Sequence, residues 1–298
     1  MSVLKVEDSH TIESAIRVAA LQFDQHRLCY GHGTDTSIDE AAWLILFAID
    51  LSPASAPDYS TQLSTEQVEA CNALLSQRIE QRVPAAYLTG QAWFAGHQFI
   101  CDSRALVPRS PLAEFINDDF YGLLDAVERP AILDLCTGGA CIAIACAHAL
   151  PNAVVHASDL STDALALARE NISQHGMLER IWLLEGSLFE PVTARYDLII
   201  SNPPYVDAQD IAAMPEEFSH EPILGLEAGD DGLDLVRLML RDASDFLNPG
   251  GLLIVEVGNS WPALERAYPQ VDFSWLEFAH GGHGVFMLTC DQLSVQRK

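Results

Sequence analysis

Ala131-Ile132-Leu133-Asp134-Leu135-Cys136-Thr137-Gly138-Gly139-Ala140 is the stretch whose reading decides the fold. An apolar run leads into a glycine pair, where the backbone can turn sharply and approach another group closely. The next residues, up to about Leu150, are again mostly apolar. Taken whole, 131–150 is hydrophobic enough to mimic a membrane span. Asp134, the Gly138-Gly139 turn and His148 argue instead for a buried strand, a tight turn and a buried helix.

The same alternation repeats downstream. Val154 to Ser158 reads as a second strand. Ser161 stands as N-cap before a helix carrying Leu165, Ala168 and Ile172. Residues 181–184 and 196–201 read as further strands. Leu198-Ile199-Ile200 is an unbroken apolar run, as parallel strands covered on both faces require. A helix is predicted over 231–247, stopped by Asn248-Pro249-Gly250-Gly251, and then a strand over 252–257. Residues 273–278 and 285–289 supply two more strands. Seven strands in repeated βα units predict an α/β fold: a Rossmann-like, mostly parallel sheet with helices on both faces. Ligands of such sheets sit beyond the carboxyl ends of the strands.

Upstream the pattern changes. Ile12, Ile16, Ala19 and Phe23 recur at helical spacing, and helices are also predicted from Ser37 to about residue 50 and from Thr65 onward, the latter capped by Ser64. Residues 52–60, rich in serine and proline, read as a loop. Trp93 to Phe99 reads as a hairpin turning at glycine. A helix is predicted over 112–127. The expected organisation is a small helical domain over 1–90, a hairpin linker over 91–110 and a catalytic domain over 111–298.

The net charge is -26, from 42 acidic and 16 basic residues, and Lys5 and Lys298 are the only lysines. Such a field repels nucleic-acid backbones and suits basic protein partners. Acidity serving only solubility is the plainer alternative. The seven cysteines are unevenly spaced and lack any Cys-x-x-Cys pair, and no secretory signal opens the chain. These features predict a reduced, cytoplasmic setting. Cys136, Cys141 and Cys146 do not share a helical face and read as small buried residues in a helix, so no metal site is expected.

Two turns carry chemistry. After the first strand, the Asp134–Ala140 turn presents helix-start N–H groups to a carboxylate or phosphate. Asp159 follows Gly138 by 21 residues, at the end of the second strand, where a carboxylate accepts ribose hydroxyls. The pair serves NAD and S-adenosylmethionine alike. The incomplete Gly-x-Gly-x-x-Gly pattern disfavours a pyrophosphate ligand, and no Walker lysine is present. After the fourth strand comes Asn202-Pro203-Pro204-Tyr205. The prolines fix an extended path and donate no N–H, so carbonyls remain as acceptors. Asn202 adds a side-chain acceptor and Tyr205 an aromatic wall. Such a set holds a planar NH₂ group, whose nitrogen is a poor nucleophile, by its two hydrogens, and orientation then supplies much of the rate. A Pro-Pro turn with a capping asparagine is the plainer alternative.

With these motifs the chain resembles the class I S-adenosylmethionine methyltransferases that carry Asn-Pro-Pro-Tyr, and among them the bacterial protein glutamine methyltransferases. Further segments carry the resemblance: Tyr30-Gly31-His32-Gly33-Thr34-Asp35, Arg82-Val83-Pro84, Leu106-Val107-Pro108-Arg109-Ser110-Pro111, His220-Glu221-Pro222, Gly229-Asp230-Asp231-Gly232-Leu233 and Glu256-Val257-Gly258-Asn259. Ser110-Pro111-Leu112 departs from the release-factor branch. That favours the branch acting on a glutamine of large-subunit ribosomal protein L-three.

The resemblance implies S-adenosylmethionine as cofactor, bound by Asp134, Thr137, Gly138, Gly139, Ala140, Asp159, Ser187, Leu188 and Asn202. It implies that Asn202, Pro203 and Tyr205 act in catalysis. It also implies that Asn202, Pro203, Pro204, Tyr205, Arg109 and Glu221 hold the substrate, with help from the helical domain. Ala140 stands where the family has glycine, and its methyl is expected to crowd the cofactor. Ser187 stands where an aspartate usually aids adenine recognition. His32 and His97 are expected to be structural or docking residues.

Three functions compete. One is glutamine methylation of L-three before or during ribosome assembly, with release-factor methylation as a variant of it. A second is methylation of an adenine or guanine amino group. It requires a basic cleft, and no basic run is present. The third is an assembly factor that keeps only the fold. No DNA or membrane partner is expected.

Overall fold

The computed structural model describes residues 5–52 and 55–296; Lys298 and two residues of the 52–60 loop lie outside this range. The chain divides into two units. The described residues up to Ala92 form one, together with Pro215–His220; Trp93–Met214 and the described residues from Glu221 form the other.

The first unit is built from α1 (Ile12–Gln25), α2 (Ser37–Ala48), α3 (Thr65–Glu80) and the short α4 (Ala85–Thr89). Thr11 and Ser64 close capping boxes at the starts of α1 and α3, so two helix-start N–H groups at each end find acceptors. The apolar face read from the sequence, including Ile12, Ile16, Ala19 and Phe23, is buried. A polar core accompanies it. The Arg78 guanidinium is fully buried and donates to Glu40 Oε1 at 2.6 Å, Glu217 Oε1 at 3.2 Å and the Cys29 carbonyl at 2.7 Å. Burial works to raise the Glu217 carboxyl, but the Cys29 N–H and Arg78 outweigh it and hold it below its ordinary value. Glu217 comes from the Pro215–His220 excursion, so this distant segment is fixed by charge as well as by packing.

β1 (Gln91–Phe94) and β2 (His97–Ile100) form the hairpin around Ala95-Gly96. Then follow α5 (Leu112–Asn117), β3 (Ala131–Leu135), α6 (Cys141–Ala149), β4 (Val154–Asp159), α7 (Thr162–Gln174), β5 (Ile181–Glu185), β6 (Tyr196–Ser201), α8 (Ala208–Ala213), α9 (Asp234–Phe246), β7 (Leu247–Glu256), α10 (Trp261–Ala267), β8 (Ser274–Trp275), β9 (Val285–Thr289) and α11 (Cys290–Gln296). Seven strands make one sheet in the order β5-β4-β3-β6-β7-β9-β8, parallel except at β9. Alternate residues feed two cores. Ile132, Leu198, Ile200 and Ile254 pack with α6 and α7 on one face. Leu133, Ile199, Leu253 and Val255 pack with α9, Leu264 and Leu293 on the other. This is the doubly wound arrangement that the apolar runs predict.

Three elements differ from the sequence reading. The helix predicted over 112–127 ends at Asn117, because Asp119, Phe120 and Tyr121 take positive φ values of 50°, 54° and 53° and break it. Asn248-Pro249-Gly250-Gly251 does not merely stop α9. It is the start of β7, bulged against β6, where Tyr196 pairs with Leu247 but Leu198 with Leu252. Cys136 lies in the turn after β3 rather than in a helix, with φ 57°. No described helix is long and apolar enough to cross a membrane.

Candidate active site

β3 lies between β4 and β6, the point at which the strand order reverses. Leu135 pairs with Ser158 on one side and Ser201 on the other, and Ser158 pairs with Leu184. Four strands therefore end level, about 4.8 Å apart from neighbour to neighbour. Their ends and following loops carry Asp134–Ala140, Asp159, Ser187 and Asn202–Tyr205 side by side. Ser201 Oγ donates to the Leu135 carbonyl at 2.7 Å and ties the two central ends together.

Asp134 is wholly buried. Its Oδ2 accepts from Thr137 Oγ1 at 2.5 Å and from the Ala143 N–H at 3.1 Å, so it caps α6 from the strand. Its Oδ1 is buried with no hydrogen-bond partner among the described residues. Burial pushes the carboxyl up to about 7, against the lowering effect of those two donors. Such an acceptor attracts a cationic donor. Asp159 receives the Gly138 N–H at 2.8 Å and the Ser161 N–H at 2.9 Å. Burial raises its carboxyl too. It thus pins the glycine turn while standing at the end of β4.

The Ala140 methyl is fully buried in the core at the start of α6. Its cost is conformational, since φ is 64° in the left-handed region that favours glycine. Leu188 and Phe189 pack into the opposite core, which leaves Ser187, half-buried, as the polar side chain of that loop.

The Asn202 side-chain amide and the Pro203 carbonyl engage no hydrogen-bond partner among the described residues. Tyr205 is a strut as much as a wall. Its hydroxyl donates to Glu256 Oε1 at 2.9 Å, and its carbonyl accepts from Ser260 Oγ at 2.8 Å. A Cβ on Gly258 would stand 2.5 Å from its ring, so only glycine fits there. Glu256 also accepts from Ser110 Oγ at 2.5 Å. Burial raises the Tyr205 phenol far above its ordinary value, with the Glu256 charge adding, so it stays a donor. Arg109 and Glu221 form a forked pair at 2.6 and 2.7 Å, and Glu221 Oε1 also takes the Val107 N–H at 3.0 Å. The Glu221 side chain is inaccessible, so the pair braces the 107–109 segment. Ser110, Glu256, Gly258 and Ser260 were not singled out as site residues. The available signal was a glutamate closing an otherwise apolar strand.

The profile of the methyltransferase small domain family matches residues 121–221, which hold the glycine turn, Asp159 and Asn202–Tyr205. The ribosomal protein uL3 glutamine methyltransferase of Xanthomonas campestris pv. campestris is 46% identical over 98% of this chain and 96% of its own length. That of Neisseria gonorrhoeae is 45% identical over 95% of both. The chain belongs to the family of the ribosomal protein uL3 glutamine methyltransferases. Among solved structures, a methyltransferase from Pyrococcus furiosus is 20% identical, with 64% of this chain and 88% of that one aligned and a TM-score of 0.46.

Replacing Tyr205 with phenylalanine leaves the buried Glu256 short of a donor. Urea denaturation should show a loss of about 1–3 kcal/mol. An unchanged midpoint would mean that this bond does not hold the loop.

Proposed function

We propose that this chain methylates the side-chain amide nitrogen of a glutamine in ribosomal protein uL3, using S-adenosylmethionine, and that it acts on the free protein before or during ribosome assembly. The carrying observation is the pair of acceptors at Asn202 and Pro203, placed one strand away from the glycine turn by the Leu135–Ser201 register.

The residues present fit the cofactor. The buried, unpartnered Asp134 Oδ1 suits the ammonium of its methionine part. Asp159 suits the ribose hydroxyls, and the half-buried Ser187 lies where the base would be recognised. Gly138, Gly139 and the Thr137 and Ala140 backbone shape the turn around it. Bound S-adenosylmethionine supplies an electrophilic methyl group. Asn202 and the Pro203 carbonyl hold the two amide hydrogens and fix the nitrogen's direction. Pro203 and Pro204 keep both acceptors in place, and Tyr205 anchors the loop from behind. No buried base is needed, because the amide proton becomes acidic as the nitrogen is alkylated and leaves to solvent.

The net charge of -26 supports a basic protein substrate over a nucleic acid. It also favours uL3 free of RNA over uL3 in a finished subunit. The helical unit takes part in recognising the substrate, and the setting is cytoplasmic.

Two outcomes are expected. Methyl transfer should label free uL3 and not mature large subunits, and Asn202→Ala should lower turnover on free uL3 by ~100-fold or more. Equal labelling of free and assembled uL3 would contradict the timing, and intact turnover in Asn202→Ala would contradict the site. Cofactor binding should also depend on pH through Asp134. The free carboxyl is raised to about 7, and a cationic ligand requires it ionised. Below that pH a proton must be displaced, so affinity should fall by up to ~10-fold per unit, since one pKa unit is one decade of equilibrium. Asp134→Asn should flatten the profile in a calorimetric titration; a wild-type profile already flat from pH 8 to 5 would exclude this role.

A further inference from the structure

Three histidines that the methyl transfer leaves unused converge in the catalytic unit. His97 opens β2, His148 lies in the last turn of α6, and His175 follows α7. One ring nitrogen of each lies within 4.8 Å of those of the other two. His97 and His148 stack with centroids 4.0 Å apart, and His148 Nε2 stands 3.1 Å from His175 Nδ1. His148 is exposed, so solvent and ions reach the cluster.

The orientation of His175 is the second observation. Its Nε2 lies 3.0 Å from the Gln98 carbonyl, which can only accept. Nε2 therefore carries the hydrogen, and Nδ1 presents its lone pair toward His148. Metal-ligating histidines are held in this way, by a carbonyl that fixes the tautomer and ring direction. Two nitrogens bound tetrahedrally to one zinc ion at ~2.0–2.1 Å stand ~3.3–3.4 Å apart, close to the separation seen between His148 and His175.

We propose that His97, His148 and His175 bind one zinc ion, with water in the fourth position. Neutral imidazoles are zinc ligands of the right class, and the strongly negative chain draws in cations. His97 must close by a side-chain rotation to complete the set. The site would act as a clip rather than in catalysis. Asn171, one turn before His175, bonds the Ile100 N–H and carbonyl at 2.8 and 3.1 Å and the Gly139 carbonyl at 3.0 Å. α7 thus already holds both β2 and the glycine turn. Zinc would fasten the start of β2 and the end of α6 to the same helix.

The competing arrangement is a simple hydrogen bond from His148 Nε2–H to His175 Nδ1. The test uses the untagged full chain, stripped with a chelator and titrated with zinc chloride, and separately with cobalt chloride for its absorption spectrum. One zinc per chain is expected, with a melting temperature that rises and then saturates as zinc is added. His148→Ala and His97→Gln should each fold and bind zinc at least ~10-fold more weakly. The cobalt spectrum should show d–d bands without thiolate charge transfer. No zinc-dependent shift in the wild-type chain, equal binding by the variants, or a thiolate band that places the metal on cysteines would overturn the proposal.

Discussion

The pairing of β3 with β6, with Leu135 opposite Ser201, is the constraint on which the site rests. Buried apolar runs on both strands hold it, since Leu133 and Ile199 enter one core and Ile132, Leu198 and Ile200 the other. A one-residue slip would exchange these faces. It would also move the Asn202 acceptors away from the glycine turn. Hydrophobic packing thereby sets the distance between two polar loops that share no direct sequence relation.

The polar groups around those loops follow the same economy. Asp134 caps α6 with one oxygen, and its other oxygen has no hydrogen-bond partner among the described residues. Asp159 pins Gly138 and Ser161 from the neighbouring strand. Behind Asn202, the Tyr205–Glu256–Ser110 chain joins three distant segments in the interior. Arg109 and Glu221 brace the 107–109 segment next to it. Buried polar groups of this kind are stable only when paired, so each link makes the position of the next more definite. Rigidity matters here because a weak amide nucleophile gains its reactivity from orientation.

Much of this was legible in the chain. Apolar runs at β3 and β6, Ser64 and Ser161 as caps, and the two site turns are local patterns, and local patterns survive folding. What escaped was non-local. Ala140 takes the left-handed backbone, φ 64°, which its residue type does not report. The 112–127 helix breaks where residues 119–121 adopt left-handed backbone, which periodicity does not report. The Pro-Gly-Gly stretch signalled a stop but became a strand bulge, because β6 offered it a partner. Arg109 and Glu221 are 112 residues apart and proved to be each other's partners. The histidine cluster draws on three elements that no spacing rule connects.

The most direct measurement is a crystal structure of the complex with S-adenosylhomocysteine and a glutamine peptide from uL3. The glutamine amide nitrogen should lie at hydrogen-bond distance, about 2.9 Å, from both Asn202 Oδ1 and the Pro203 carbonyl, facing the cofactor sulfur. An amide held by other groups, or turned away from that sulfur, would contradict the role given to this loop.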